Sequence, residues 1–292
     1  MLSNHALREI HSGRSATPWI LPWRGDAPAA QEPFRADVSA ADRILRQTRQ
    51  VALGRHRGVR MHAHAARCAY LLFHRSSVRL RMSPDREEVV TPLHVSLHAA
   101  GDIHAREALN DEGNDFDWIA IAPELLHSLR AHFPYMRDDA HDAGLPPLHA
   151  CETTPEIFLA RRRLFTAASR SCGALNSRQI DAAVEQLLAQ VVERAAARRR
   201  FMRDQQFATR GRRIQLVEEA KIILAREYQT DLTAMGLAHR LHCSPAYLSR
   251  TFHAATGFKL VDYRHELRLR KAAYLIEQAD AEIGEIAVRV GF

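Results

Sequence analysis

Between Ser244 and Gly257 the chain runs Ser-Pro-Ala-Tyr-Leu-Ser-Arg-Thr-Phe-His-Ala-Ala-Thr-Gly. At helical spacing, Ala246, Ser249, Arg250 and His253 share one side of this segment. Their chemistry suits the edges of bases in a major groove. Arg250 offers the planar fork that pairs with guanine O6 and N7, Ser249 can donate or accept, and Ala246 is small enough to lie against a thymine methyl. Candidate phosphate contacts are Ser244, His253 and, further along, Arg264, Arg268 and Lys271. No Ser/His/Asp order, glycine-rich phosphate loop or carboxylate pair stands out elsewhere. No catalytic residue and no cofactor is therefore assigned, and the chain is read as a non-enzyme.

These side chains need a helix with defined ends. Ser244 is placed to cap it, Pro245 fits the first turn where no N–H is needed, and Gly257 supplies a left-handed stop. Leu248, Phe252 and Ala255, with Tyr247 beside them, form the face that packs. A shorter helix over 233–241 carries Leu237 and Leu241 toward the same core, and His242-Cys243 leaves room only for a sharp turn. Helix, turn, capped helix is the order of a helix-turn-helix unit. Tyr263, Leu267, Leu269, Ala272, Ala273, Leu275 and Ile276 then space out a long helix with Arg264, Arg268, Arg270 and Lys271 on its remaining surface. The segment 282–292 begins another helix and its turn.

In combination, these features are similar to the DNA-binding domain of the AraC/XylS family of bacterial transcription regulators. The residues that carry the resemblance are Leu237-Ala238, Ser244 through Arg250, Phe252, Thr256-Gly257, Arg268-Leu269-Arg270, Ala272, Ile283 through Ala287 and Gly291-Phe292. It covers about the last eighty residues. The resemblance implies two helix-turn-helix units joined by the long helix, each setting a recognition helix into successive major-groove segments. Here the first unit is complete, and Phe292 falls just before the second recognition helix is expected. Two positions depart from the family pattern. Gly236 lies in the first helix at a cost of about 1 kcal/mol relative to Ala, and His242 stands at a turn position where the family favours Gly.

With 292 residues, 46% of them hydrophobic, the chain can bury a core and has the length of about two domains. The net charge of +7 suits a polyanionic partner, although it also follows from an arginine-rich composition in which lysine occurs only at Lys221, Lys259 and Lys271. Cys68, Cys151, Cys172 and Cys243 form no CxxC pair or zinc spacing, as in a reduced cytoplasmic protein. No apolar run approaches the roughly eighteen residues of a membrane span, and the first thirty or so lack a signal-peptide core. The expectation is a cytoplasmic protein with no membrane association.

Residues 1–40 read as a loose arm, with Trp19 and Trp23 docked. From about Val51 the period becomes two: Val78, Leu80 and Met82 alternate with Arg79 and Arg81, and Leu93, Val95, Leu97 and Ala99 with His94, Ser96 and His98. These suggest half-buried strands. Cys68–Phe73 and Trp118–Ala122 suggest covered ones, with turns at Gly101-Asp102 and at 112–115. Beside the C-terminal resemblance, this looks like the cupin-like sensing domain of the same family, which gives an α+β fold: an antiparallel β domain with trailing helices, followed by an all-α DNA-binding domain. His62 and His64 lie about 7 Å apart on one strand face, but the third ligand would have to come from His74 or His104. His94 and His98 are about 13 Å apart along a strand. No metal site is assigned.

Ile180, Ala183, Val184, Leu187, Leu188, Val191, Val192 and Ala195 form a narrow apolar stripe. Its partner is either the protein's own β domain and preceding helix or, as the resemblance implies, the same helix of a second subunit. Ile180, Val184, Leu187, Leu188 and Val191 are the candidate dimer contacts. The expected division is 1–40 arm, 41–200 sensing and dimerisation, 201–211 linker and 212–292 DNA binding. The partners implied are double-stranded DNA, a small-molecule effector, a second copy of the chain and possible contact with RNA polymerase. An alternative is a metal- or small-molecule-binding module whose shortened DNA-binding domain does not function.

Overall fold

A computed structural model of the chain describes residues 36, 38–58, 60–66, 68–83, 86–132, 150–169, 175–203, 210–278 and 281–292. The expected arm, including Trp19 and Trp23, lies almost wholly outside these residues. So do Cys172, the side chains of His62 and His64, and most of the expected linker.

The fold is α+β, as expected. Among the described residues, ten strands come first: β1 (Asp42–Gln47), β2 (Val51–His56), β3 (Arg60–Ala65), β4 (Ala69–His74), β5 (Val78–Ser83), β6 (Arg86–Val90), β7 (His94–His98), β8 (Ile103–Ala108), β9 (Phe116–Ile121) and β10 (Ala150–Glu152). They make two antiparallel sheets, ordered β1-β2-β9-β4-β7-β10 and β3-β8-β5-β6. The sheets face each other: the rings of His98 on β7 and His104 on β8 lie 4.1 Å apart, and the Arg106 guanidinium of β8 lies 4.1 Å above the Phe116 ring of β9. Gly54 is paired with Trp118 in the larger sheet, and a Cβ there would run into the indole ring.

Three helices accompany the sheets: α1 (Pro123–His132), α2 (Pro155–Ser169) and α3 (Ser177–Arg203). The outer face of the larger sheet, with Val51, Leu53, Leu71, Phe73, Val95, Ile119 and Ile121, packs on Ile157, Leu164 and Phe165 of α2 and on the α3 stripe. This corrects the assignment of dimer contacts. Ile180, Val184, Leu187, Leu188 and Val191 are each 0–3% exposed within one chain, so the stripe is spent on the chain's own core.

A second correction concerns β7. His94, Ser96 and His98 were expected on a solvated face, yet all three are buried between the sheets. Around them, His74 Nε2 lies 2.9 Å and His98 Nε2 3.1 Å from Ser96 Oγ. Burial holds His74 well below the ordinary histidine value, and the charges of Arg106 and His94 add to this. Arg106 is itself pushed down to about 9 by burial, opposed by Asp42.

The remaining helices are α4 (Arg210–Glu227), α5 (Ala234–Arg240), α6 (Pro245–Thr256), α7 (Leu260–Gln278) and α8 (Ile283–Val290). They share a core of Val217, Leu224, Leu237, Leu248, Phe252, Tyr263, Leu267 and Val290, to which the β domain contributes Leu93. Among the described residues, no helix is long and apolar enough to cross a membrane.

Leu187→Ala should lower the unfolding free energy by about 2–5 kcal/mol, independently of protein concentration, in urea titrations at several concentrations. A concentration-dependent loss would return the stripe to a subunit interface. His74 stays neutral in the folded chain and titrates near 6.5 when unfolded, so unfolding takes up a proton below that pH. Its contribution to stability is present above pH 6.5 and declines below it, and the urea midpoint of His74→Gln should fall less steeply from pH 7 to 5 than that of the unchanged chain.

Candidate nucleic-acid interface

Local chemistry builds the reading unit. Thr233 caps α5 by accepting from the Gly236 N–H, so Gly236 sits in the first turn rather than mid-helix. His242 takes φ 50°, the left-handed turn conformation that a histidine tolerates. Ser244 Oγ accepts from the Tyr247 N–H at 3.3 Å, Pro245 opens α6, and Gly257 closes it at φ 78°, donating its N–H to His253 O. Both ends of α6 are therefore fixed as the sequence implied.

Leu248 and Phe252 are fully buried, and Tyr247 is partly buried against the same core. On the opposite side Ser244, Ala246, Ser249, Arg250 and His253 are exposed together. One face of α6 thus offers a guanidinium, hydroxyls, an imidazole and a methyl to solvent. The other face is locked by Tyr263 of α7, whose ring meets Phe252 edge-on at 5.2 Å.

The cations of α7 are placed differently from expectation. Arg268 is 5% exposed, and its Nε and Nη2 donate to Tyr228 O at 2.6 Å and Thr230 O at 2.9 Å. Arg264 Nη1 donates to Thr230 O and Leu232 O. Both guanidinium groups thus serve the carbonyls that follow α4, where positive charge complements the helix C-terminus. Lys271 is buried, donates to Arg75 O at 2.9 Å and pairs with Glu112; burial lowers its pKa. Arg268 and Lys271 are accordingly withdrawn from the phosphate-contact set, and Arg264 has its Nη1 engaged within the fold.

Arg270 was assigned no role. It is 2% exposed and donates to Pro92 O and to the hydroxyl and carbonyl of Thr153. Tyr274 OH donates to His74 O at 3.2 Å, and Glu277 accepts from Arg75 at 3.2 Å and from Arg162 at 3.2 Å. One side of α7 is therefore clasped to the β domain. A readable signal existed: 263, 267, 270, 271 and 274 fall on one face at helical spacing, so Arg270 and Lys271 share the stripe of Tyr263 and Leu267. The buried polar set of His74, His94, Ser96 and Glu152 was also missed, because alternation alone does not say which side of a strand meets water.

Among the described residues, no three His, Cys, Asp or Glu side chains converge as a metal-binding group.

Residues 237–292 match the family described as helix-turn-helix domain. Among curated proteins, the Msm operon regulatory protein of Streptococcus mutans is 30% identical over 76 residues, covering 26% of this chain and 27% of that protein. The bifunctional transcriptional activator/DNA repair enzyme AdaA of Bacillus subtilis is 35% identical over 66 residues, covering 23% of this chain and 31% of that protein. The match thus spans about a third or less of these relatives. Among solved structures, ToxT from Vibrio cholerae aligns over 83% of this chain and 90% of its own at 10% identity and a TM-score of 0.35, a likeness too weak to bear on function. Two capped helices around a tight turn, a packed face opposite an exposed polar one, and the family match over the same residues agree that the carboxy-terminal segment 237–292 is a helix-turn-helix domain.

Proposed function

We propose that the chain is a sequence-specific, double-stranded-DNA-binding transcription regulator that inserts α6 into the major groove. The observation that carries this reading is the two-sided character of α6: Leu248 and Phe252 have no exposure, while Ala246, Ser249, Arg250 and His253 all face solvent. Arg250 and Ser249 contact base edges, Ala246 a thymine methyl, and His253 and Ser244 the flanking phosphates. The net charge of +7 supports a polyanionic partner.

The division into a sensing part over 41–200, a linker over 201–211 and a reading part over 212–292 belongs to the same proposal. So does a small-molecule effector, which the buried polar set between the sheets supports: among the described residues, His56 Nε2 and His74 Nδ1 lie buried without a hydrogen-bond partner. Homodimerisation through a surface other than the α3 stripe belongs to it too, since pairing of subunits would set two α6 helices on successive half-sites. Contact with RNA polymerase, a cytoplasmic location and the lack of an enzymatic activity complete the reading.

The test is selection of bound sites from a random duplex pool by the purified chain, followed by sequencing and a salt titration. A short recovered motif supports the proposal. No motif overturns it and leaves small-molecule binding by the β domain as the function to pursue.

On the selected site, Arg250→Ala should cost about 1–3 kcal/mol, confined to one base position. His253→Ala should weaken all sequences alike, as the loss of a phosphate contact does. Uniform loss from Arg250→Ala would remove its base-reading role. In thermal melts Ser244→Ala should destabilise by about 1 kcal/mol through loss of the cap, while Arg250→Ala stays within about 0.5 kcal/mol of the parent.

A further inference from the structure

We propose that Thr91 couples the buried polar cluster between the sheets to α6 through Tyr263. This rests on the regulatory reading above and names the route by which the β domain would act.

Thr91 has no exposure and lies in the turn between β6 and β7. Its backbone N–H donates to His94 Nδ1 at 3.1 Å, so that nitrogen is an acceptor and the ring proton sits on Nε2, which faces Glu152 Oε1 at 3.6 Å. Thr91 Oγ1 lies 3.0 Å from the same Nδ1 and, facing an acceptor, donates to it, the hydroxyl and the backbone N–H sharing its single lone pair. Its lone pairs accept from Tyr263 OH at 3.1 Å and from the Leu93 N–H at 3.3 Å. Hydrogen-bond direction is thus fixed along Tyr263, Thr91 and His94.

Tyr263 meets Phe252 of α6 edge-on at 5.2 Å, and both rings have no exposure. A displacement of His94 is passed to Thr91 by two hydrogen bonds, to Tyr263 by one more, and to α6 by ring contact. Close packing leaves no slack to absorb it. The same end of the β domain holds α7 at further points: Tyr274 on His74 O, Lys271 on Arg75 O, and Arg270 on Pro92 O and Thr153 O. The side chains of His74 and Glu152, next to two of these anchors, belong to the buried polar set between the sheets, so a rearrangement of that set adjoins several of the anchors of α7.

Amide hydrogen exchange on the full chain tests the coupling without DNA or effector. Residues 116–121 of β9 serve as the reference for global opening. Thr91→Val, which removes the hydroxyl and keeps the shape, should raise exchange over 248–256 and 260–267 by about five-fold with the reference unchanged, and Tyr263→Phe should do the same. The double variant should show no more than either single change, because both remove one shared bond. Thr91→Ser keeps the hydroxyl and should behave as the parent. His94→Leu should raise exchange over 248–256, whereas His94→Asn, which restores an acceptor, should not.

Changes confined to 86–98, additive effects in the double variant, or equal loosening by Thr91→Ser would each overturn the coupling. A chain that selects no DNA motif yet shows the expected exchange would overturn only the function proposed above.

Discussion

Asp117 is a carboxylate without access to water, and the arrangement of the two halves depends on how it is neutralised. It sits in β9 with no exposure, accepts from Arg55 at 3.1 Å and Arg75 at 3.3 Å, and pairs with Arg161 of α2. A buried charge is tolerated only when paired and hydrogen-bonded, so strand β2, the turn after β4 and helix α2 must all converge on it. Arg75 then has its second nitrogen free to reach Glu277 of α7, 3.2 Å away. The same cation that helps neutralise Asp117 thus fixes where α7 can lie.

Helix α7 consequently has one broad packed face that serves both halves. Tyr263 and Leu267 fill the core around α6, while Arg270, Lys271 and Tyr274 place their polar atoms on loop carbonyls of the β domain. Carbonyl acceptors at loop ends lie outside the sheet ladders, and long cationic side chains can reach them while burying their stems. Helix α6, by contrast, keeps an exposed face that is small and chemically mixed.

The space between the sheets is the third consequence of the same architecture. Sheets packed through side chains leave an interior, and here it is lined by His74, Ser96, His98, His104 and Arg106 rather than by aliphatic residues alone. Polar groups in such a place form a mutual network at some expense in desolvation. One end of that network lies directly beneath the anchors of α7.

Much of this was legible in the residues alone. Ser244, Pro245, Gly257 and the Leu248/Phe252 spacing determine α6, its caps and its exposed face, because capping and helical periodicity are local properties. The strand around Val78–Met82 followed from period two, and the one at Trp118 from a nearly continuous apolar run. What the stripe from Ile180 to Val191 packs against was decided only by tertiary structure, since apolar spacing specifies burial and not the partner. The same holds for Arg268, Lys271 and Arg270, whose charge suggests phosphate until their distance to a loop carbonyl is known. It holds also for His94, Ser96 and His98, where alternation is identical whether the polar side meets water or a second sheet. Local chemistry sets the elements; which face meets which neighbour is a long-range fact that only the assembled core decides.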